Sequence, residues 1–279
     1  MLRSRFRGRP TRPLNTLAVI SFRIALNWKW NHLKLQQILY SQGFGTRREC
    51  AALIARGAVT INELARLNPD EEVSVDGLVL SVDNKVWQYH PQAYLMLNKP
   101  AGFECSHKPK VWPSVYELLP MPLRLRPSKS AVDGVQAVGR LDQDTTGLLI
   151  LSDDGQFIHR MASPKHHVPK RYVVTTRHAV DDVAINSLLT GVVLNDDPEP
   201  VAALACEQVS DCVIHLTLTE GKYHQVKRML AAVGNRVEAL HRAQMGGLAL
   251  DADLPEGQWR WLTADDLALI RAPAQPAPL

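Results

Sequence analysis

The sequence predicts an α+β protein whose larger part is built on a mixed, mainly antiparallel sheet. Strand-like apolar segments outnumber helical ones and do not alternate with them regularly, which argues against a parallel α/β sheet. Between Cys212 and Glu220, apolar residues occupy alternate positions, as in a half-buried strand. With 46% hydrophobic and 22% charged residues, the chain of 279 residues has an ordinary globular composition and can bury a sizeable core.

The amino-terminal region is strongly basic. Ten lysines and arginines precede the first acidic residue, Glu49, although the net charge of the whole chain is only +4. This asymmetry indicates a polyanionic partner. We expect residues 1–32 to form a basic, disordered tail, and the segment Leu14–Trp28 is too short and too polar to cross a membrane. Four scattered cysteines without a CxxC pair predict a reduced, cytoplasmic protein.

Residues 33–82 are predicted to form a small α+β module. Thr46 followed by Glu49 is a capping box, which predicts a helix over 47–56 that stops at Gly57. Two strands are predicted to follow, in AVTIN and EEVSVDGLVL, with the Asp-Gly pair of the second segment as a hairpin turn.

Two arginines, Arg47 and Arg48, open the predicted helix of this module. Positive charge in a first helical turn opposes the helix dipole. Phosphate contact would compensate for this cost. The alternative is that both side chains simply point into solvent.

A polar segment, 83–92, is predicted to link this module to a larger domain over 93–271, and the Ala- and Pro-rich end, 272–279, is predicted to be disordered. The larger domain contains more strands than helices. Its predicted elements are, in order, the strands AYLMLNKP and TGLLILS, the helix GQFIHRMAS, the strand KRYVVTT, the helix and strand of DDVAINSLLTGVVL, the strand over 212–220, the helix in EGKYHQVKRMLAAVGN, the strands HRAQMGGLAL and QWRWL, and a final helix capped by Thr263.

The segment GRLDQDTTGLLIL, residues 139–151, places a carboxylate at the mouth of a buried strand. Asp142 lies beside Arg140 and precedes the apolar run. Together, Asp142 and Asp144 suggest the acid and base of a glycosidase. The Thr-Thr-Gly that follows indicates a turn instead, so Asp144 is interpreted as a turn former. Asp142 is therefore the single candidate catalytic carboxylate.

Other catalytic groups are not indicated by the sequence. His159, His166 and His167 lack a carboxylate or cysteine at a metal-ligand spacing. Neither a Gly-rich phosphate loop nor a G-x-S-x-G nucleophile elbow occurs. We therefore predict no cofactor and no metal. One carboxylate, several basic residues and aromatic side chains suit a polyanionic substrate that carries a base to stack.

Four segments resemble the RsuA-type family of ribosomal RNA pseudouridine synthases: LMLNKPAGFECS, GRLDQDTTGLLILSDDG, SPKHHVPKRYVV and TEGKYHQVKRMLAAVGNRVEALHR. The resemblance covers residues 33–270, and the run 35–62 resembles the RNA-binding module of ribosomal small-subunit protein four. The EGKYHQVKRMLAAVGN block and the SPKHH run are most similar to the branch that modifies 16S rRNA. The resemblance implies the pseudouridine synthase fold for residues 93–271.

The resemblance also implies residue roles. Asp142 matches the essential aspartate, which attacks the ribose or assists deprotonation at the sugar. Tyr172 matches the tyrosine that stacks on the target base, and Arg140 matches an arginine that holds RNA around the extruded nucleotide. Lys227 matches the basic residue paired with the aspartate; many relatives have arginine there, so Arg228 is an alternative partner. Further candidates for phosphate contact are Arg47, Arg48, Lys99, Lys165, Lys170 and Arg228.

The implied activity is isomerisation of a uridine of 16S rRNA to pseudouridine, by cleavage of the N-glycosidic bond, rotation of the base and formation of a C–C bond. Nothing is oxidised and no group is added, so no cofactor is expected. The alternatives are a 23S rRNA pseudouridine synthase of the same family and a non-catalytic RNA-binding ribosome-assembly factor. The expected partner is ribosomal RNA, bare or in a small-subunit assembly intermediate, and the protein is expected to be a monomer.

Overall fold

The computed structural model describes residues 31–128, 132–195 and 197–271. Two compact units are distinguished: the first includes Arg47–Tyr89 and the residues up to Leu39, the second Tyr40–Thr46 and the residues from His90 onward. Nearly all of the basic tail predicted for residues 1–32, and the whole predicted tail 272–279, lie outside the described residues. Among the described helices, none is long and apolar enough to cross a membrane.

The first unit is small and contains both helices and strands. Its strands form two antiparallel sheets, one made of β1 and β4 and one in the order β3-β2-β5-β6. Its elements are β1 (His32–Lys34), α1 (Leu35–Gln42), whose last three residues group with the second unit, α2 (Arg47–Ala55), β2 (Val59–Ile61), β3 (Leu64–Arg66), β4 (Glu72–Ser74), β5 (Val79–Val82) and β6 (Lys85–Gln88).

Helix α2 forms where the sequence predicted it and ends as expected. Gly57 adopts a positive φ of 75°, and its N–H donates to the carbonyl of Ile54 at 2.9 Å. The N–H of Ala58 donates to the carbonyl of Leu53 at 3.1 Å. These two bonds satisfy carbonyls at the helix end in a Schellman motif, which requires a residue that tolerates the left-handed region.

The hairpin predicted at Asp76 and Gly77 is wrong. A turn is present, with the N–H of Leu78 donating to the carbonyl of Val75 at 3.3 Å. The strands on its two sides separate, however, because β4 pairs with β1 and β5 pairs with β2 and β6. A turn signal specifies a local reversal of the chain, whereas strand partners are chosen by long-range packing.

The true hairpins of this unit turn at Asn62-Glu63 and Asp83-Asn84, where all four residues have a positive φ between 47° and 64°. Two consecutive residues of this kind give the turn whose twist matches paired strands. The second of these turns leads into β6, which pairs with β5. Part of the predicted linker 83–92 therefore forms an edge strand, which a polar composition also suits, and the boundary between the units lies inside the predicted segment, after Tyr89.

The second unit is built on a nine-stranded mixed sheet in the order β13-β14-β10-β15-β9-β7-β17, with β16 beside β15 and β8 beside β9. This confirms the predicted fold class. Its elements are β7 (Tyr94–Lys99), α3 (Met121–Arg124), β8 (Gln136–Ala137), β9 (Thr146–Ser152), α4 (Gly155–Ala162), β10 (Lys170–Thr176), α5 (Asp182–Thr190), β11 (Val192–Leu194), β12 (Asp197–Val201), β13 (Ala205–Ser210), β14 (Val213–Leu218), α6 (Gln225–Ala232), β15 (Val237–Met245), β16 (Leu248–Ala249), β17 (Trp259–Trp261) and α7 (Ala264–Arg271).

Strand β9 runs through the core of this unit. Its four central residues, 148–151, are fully buried, as expected for a continuous apolar run covered on both faces. On one face Leu148 and Ile150 join a cluster with Phe157 and Met161 of α4. Asp142 lies a few residues before this strand, so the loop that carries it leads directly into the buried core of the unit.

Strands β9 and β15 approach each other unusually closely. Among the strand pairs of the described residues, only these two run parallel, with Gly147 opposite Arg242. Gly147 has a φ of 99°, and a Cβ at this position would lie 2.4 Å from the carbonyl oxygen of Arg242. Only glycine fits both this backbone conformation and this contact.

Replacing Gly147 by Ala is expected to lower the free energy of unfolding by about 3 kcal/mol, because overpacking against the backbone adds to the cost of the positive φ. Gly139→Ala is the matched control: it has a similar φ of 75° but nothing within 4 Å of a new Cβ. It should cost only about 1–2 kcal/mol. Urea denaturation measures the free energy of unfolding of both variants. Equal decreases in the two variants would contradict the close contact of Gly147 with β15.

Candidate active site

A buried lysine, Lys99, supports the loop that carries Asp142. A turn forms where the N–H of Thr145 donates to the carbonyl of Asp142 at 3.1 Å. Lys99, the last residue of β7, donates from Nζ to the carbonyl of Gln143 at 3.2 Å and to that of Thr145 at 2.8 Å. A third bond runs to the carbonyl of Pro100 at 3.0 Å. Lys99 therefore fixes the turn through its backbone.

The prediction that Lys99 contacts RNA phosphate is wrong. Its side chain is fully buried and its ammonium is occupied by three carbonyls. Burial lowers the pKa of Lys99, and the neighbouring Cys105, Asp144 and Asp142 offset this only in part. A group in this position cannot reach a phosphate without breaking the turn that it supports.

Asp142 lies between two side chains of the EGKYHQVKR segment. Nζ of Lys227, on α6, is 3.3 Å from Oδ2 of Asp142. His224, the residue before α6, has a φ of 48° and places Nε2 3.4 Å from Oδ1 of the same carboxylate. Arg228 donates from Nη1 to the carbonyl of Tyr223 at 3.1 Å instead. Of the two candidate partners, the structure thus brings Lys227 to Asp142.

Asp144 has more than the turn-forming role that the sequence suggested. Its carboxylate accepts hydrogen bonds from Nζ of Lys227 at 2.7 and 2.8 Å, closer than the distance to Asp142. Burial raises the pKa of Asp144, but the hydrogen bond and charge of Lys227 outweigh it, so this pKa lies below its usual value. Burial lowers the pKa of Lys227, and Asp144 and Asp142 together reverse this to a net increase.

Tyr172, on β10, lies in the same pocket as Asp142. The residue is only 9% exposed, and its strand is paired on both sides, opposite Leu216 and Arg242. A ring held in this way has little freedom to move. The pocket is lined by Arg140, Asp142, Tyr172, Leu218, His224 and Lys227, among others.

The predicted RNA-contact residues are distributed over different surfaces. Arg140 is exposed at the rim of the pocket. Lys165 is exposed in the short 3-10 turn Pro164–His166 and does not line the pocket. Arg47 and Arg48 are exposed in the first turn of α2, in the other unit. Within the second unit, Arg140 lines the pocket of Asp142 and Lys165 does not.

Sequence reasoning missed His224 as a member of the site. Its side chain reaches Asp142 because the backbone before α6 takes a left-handed conformation. Histidine adopts this conformation more readily than most residues. The only signal in the sequence was its position at the start of a predicted helix, in the same motif as Lys227.

Lys170, another predicted phosphate contact, is also turned inward. Its Nζ donates to the carbonyls of Val168 at 2.9 Å and Thr219 at 3.4 Å. Burial, followed by the nearby charge of Arg242, lowers the pKa of Lys170 to about 8. Lys170 is therefore held by backbone carbonyls and does not line the pocket of Asp142.

Replacing Lys170 by Met is expected to change how stability depends on pH. The pKa of Lys170 is about 8 in the folded chain and 10.5 ordinarily, so the unfolded chain binds more protons between these values. The contribution of Lys170 to the free energy of unfolding should therefore rise as the pH rises from about 8 to 10.5. This contribution should be lowest below pH 8. Urea denaturation of the wild type, Lys170→Met and the exposed-site control Lys165→Met checks this. If the free energy of unfolding varied with pH in the same way for all three proteins, the inward placement of Lys170 would be contradicted.

Within the described residues, no group of three or more His, Cys, Asp or Glu side chains is arranged to hold a metal ion. The pocket instead combines a carboxylate, a lysine, a histidine and a buried tyrosine at one face of a mixed sheet. These features define the class of protein as an α+β enzyme with a cleft for a substrate that carries a flat ring and negative charge.

Comparison with known proteins gives the family. Residues 93–232 match the family model of RNA pseudouridylate synthase, and the chain belongs to this family. It is 40% identical to Ribosomal small subunit pseudouridine synthase A of Escherichia coli K12, over 77% of this chain and 87% of the relative. The Pasteurella multocida protein of the same name is 37% identical, over 85% of this chain and 98% of the relative. A crystal structure of a pseudouridylate synthase matches with a TM-score of 0.58 and 34% identity, covering 85% of this chain and 99% of that one.

Proposed function

We propose that the protein isomerises a specific uridine of 16S ribosomal RNA to pseudouridine, with Asp142 as the catalytic carboxylate. One observation carries the proposal: Asp142 lies between Lys227 and His224 in the pocket that Tyr172 lines. The relatives named for the ribosomal small subunit support the choice of 16S rRNA.

The target uridine has to leave its stack before the pocket can receive it. Extrusion of a base costs a few kcal/mol. Stacking on one aromatic ring returns roughly 1–3 kcal/mol. We assign this contact to Tyr172, because it is 9% exposed and lines the pocket of Asp142.

In the chemical step the bond between N1 of uracil and C1′ of ribose breaks, and a bond between C5 and C1′ forms. Asp142 either attacks the ribose or removes a proton from it, and both routes use a carboxylate beside the sugar. The base then turns over, C5 loses its proton and N1 gains one, so no electrons are exchanged with a cofactor. Lys227 places its ammonium 3.3 Å from the Asp142 carboxylate, opposite the charge of that group.

RNA outside the pocket would be held through its phosphates. We assign this role to Arg140, at the rim of the pocket, and to the more distant Lys165 and Arg228. In the first unit, Arg47 and Arg48 are the corresponding candidates, consistent with an RNA-binding module over residues 33–82. Such contacts position RNA without selecting its sequence, and they weaken steeply as salt rises.

The proposal is tested by incubating the protein with unmodified 16S and 23S transcripts, bare and as assembly intermediates, and mapping pseudouridine by chemical labelling and primer extension. We expect one modified uridine in 16S rRNA. Modification confined to 23S rRNA would contradict the substrate, and binding without any modification would leave a non-catalytic assembly factor.

We also propose that the protein acts as a monomer in the cytoplasm. The residues assigned to the chemical step, Asp142, Tyr172 and Lys227, line one pocket of a single chain, which is consistent with action as a single copy. Sedimentation of the active protein at micromolar concentration tests this. A dimer that loses activity on dilution would contradict it.

A further inference from the structure

An exposed tyrosine, Tyr223, stacks on His224 of the site and has no role in the function proposed above. Tyr223 and His224 precede α6, and their rings stack with centroids 3.8 Å apart and planes inclined by 20°. Tyr223 is 75% exposed, whereas Tyr172 is 9% exposed. With His224 against one side, the Tyr223 ring has an open face on which another flat ring can stack.

The backbone around Tyr223 is held in place. The N–H of Lys222 donates to Oε1 of Gln225 at 2.9 Å, and the N–H of Gln225 donates back to the carbonyl of Lys222 at 3.1 Å. Arg228 holds the carbonyl of Tyr223 itself. Binding to a segment that is already ordered loses less conformational entropy, so the exposed ring is organised in advance for a ligand.

Tyr223 faces a groove that continues from the pocket. This groove encloses about 740 Å³, and Asp142, His224 and Lys227 line both the groove and the pocket. Tyr172 lines the pocket but not the groove, and Tyr223 lines the groove but not the pocket. A volume in this range accommodates a group the size of a small-molecule ligand. An RNA strand with one base in the pocket would place the adjacent base in this groove.

We propose that Tyr223 stacks on an unpaired nucleobase next to the target uridine, with His224 as the backing ring. The inference rests on the proposed function, because it takes the pocket to hold the uridine. Exposed Arg140 lines both spaces and offers a cation to the phosphate that joins the two nucleotides. The occupant is therefore RNA rather than an apolar peptide, since an aromatic face next to a cation matches a base next to a phosphate.

The test uses fluorescent RNA and a chain that binds without turnover. A 16S rRNA fragment containing the mapped uridine, in the form in which it is modified, carries 2-aminopurine in place of the 5′ or the 3′ neighbour. This RNA is titrated with the Asp142→Asn protein and with three double variants. Each double variant combines Asp142→Asn with Tyr223→Ala, Tyr223→Phe or Val183→Ala. Val183 is 74% exposed and lies outside both the groove and the pocket, so it is the matched surface control.

We expect quenching of one of the two probes, and binding about 5- to 150-fold weaker with Tyr223→Ala, since stacking of one base is lost. Tyr223→Phe and Val183→Ala should bind as the Asp142→Asn chain does. Equal affinity and equal quenching with Tyr223→Ala would overturn the stacking site while leaving the proposed function intact. A wild type that makes no pseudouridine would instead count against the proposed function.

Discussion

Replacing Asp142 by Asn is expected to abolish pseudouridine formation, with a loss of at least about a thousandfold in the single-turnover rate. Asparagine has nearly the same shape but can neither attack the ribose nor take a proton from it. Binding of RNA should be largely retained, because the contacts of Tyr172 and the surrounding cations are unchanged. Pseudouridine formation in a 16S transcript and filter binding of the same RNA measure the two properties separately.

Asp144→Asn is the matched control for this variant. Both carboxylates contact Lys227, at 3.3 Å for Asp142 and 2.7 Å for Asp144. Asp142 also lines the pocket that Tyr172 borders, and Asp144 does not. We expect Asp144→Asn to lose less than about tenfold, since only the placement of Lys227 changes. If Asp144→Asn were inactive and Asp142→Asn active, the assignment of the catalytic carboxylate would be reversed.

Replacing Lys227 by Ala is expected to lower the rate at neutral pH by about a hundredfold. Without the ammonium, the carboxylates of Asp142 and Asp144 are left close to each other with no cation between them. The hydrogen bond and charge of Lys227 hold the pKa of Asp144 below its usual value, so this pKa should rise in the variant. Single-turnover kinetics on a 16S transcript measure the loss of rate.

Two further variants separate this effect from a general loss of positive charge. Lys227→Arg keeps the charge and should recover most of the rate. Arg228→Ala removes the neighbouring cation, whose guanidinium contacts the carbonyl of Tyr223 rather than Asp142. It should raise KM more than it lowers kcat. A Lys227→Ala variant that reacts at the wild-type rate would contradict the role proposed for the lysine.

Patterns of only a few residues were sufficient to predict the fold class and most elements of the larger unit. Alternation over 212–220 predicted β14, and the apolar run after Asp142 predicted β9 as a buried strand. The helix that carries Lys227 followed from its apolar spacing. Such patterns work because side-chain direction repeats with the period of the backbone.

The predictions that failed depended on long-range contacts. The Asp76-Gly77 turn exists, but its strands join different sheets. Lys99 is the last residue of a strand and precedes a proline, as an exposed residue would, yet the turn after Asp142 lies over it and buries it. Asp144 does lie in a turn, while the partner of its carboxylate comes from a helix 83 residues later.

The sequence by itself determined the periodicity of the strands and helices, the location of glycines where the backbone is left-handed, and, through resemblance, the candidates Asp142, Tyr172 and Lys227. The tertiary structure decided which cation reaches Asp142, which lysines turn inward and that His224 joins the site. The physical reason is that periodicity and turn chemistry act within a few residues of one another. Burial and pairing of charges instead depend on residues that are distant in the chain and brought together only by the parallel contact of β9 with β15 and the packing of α6.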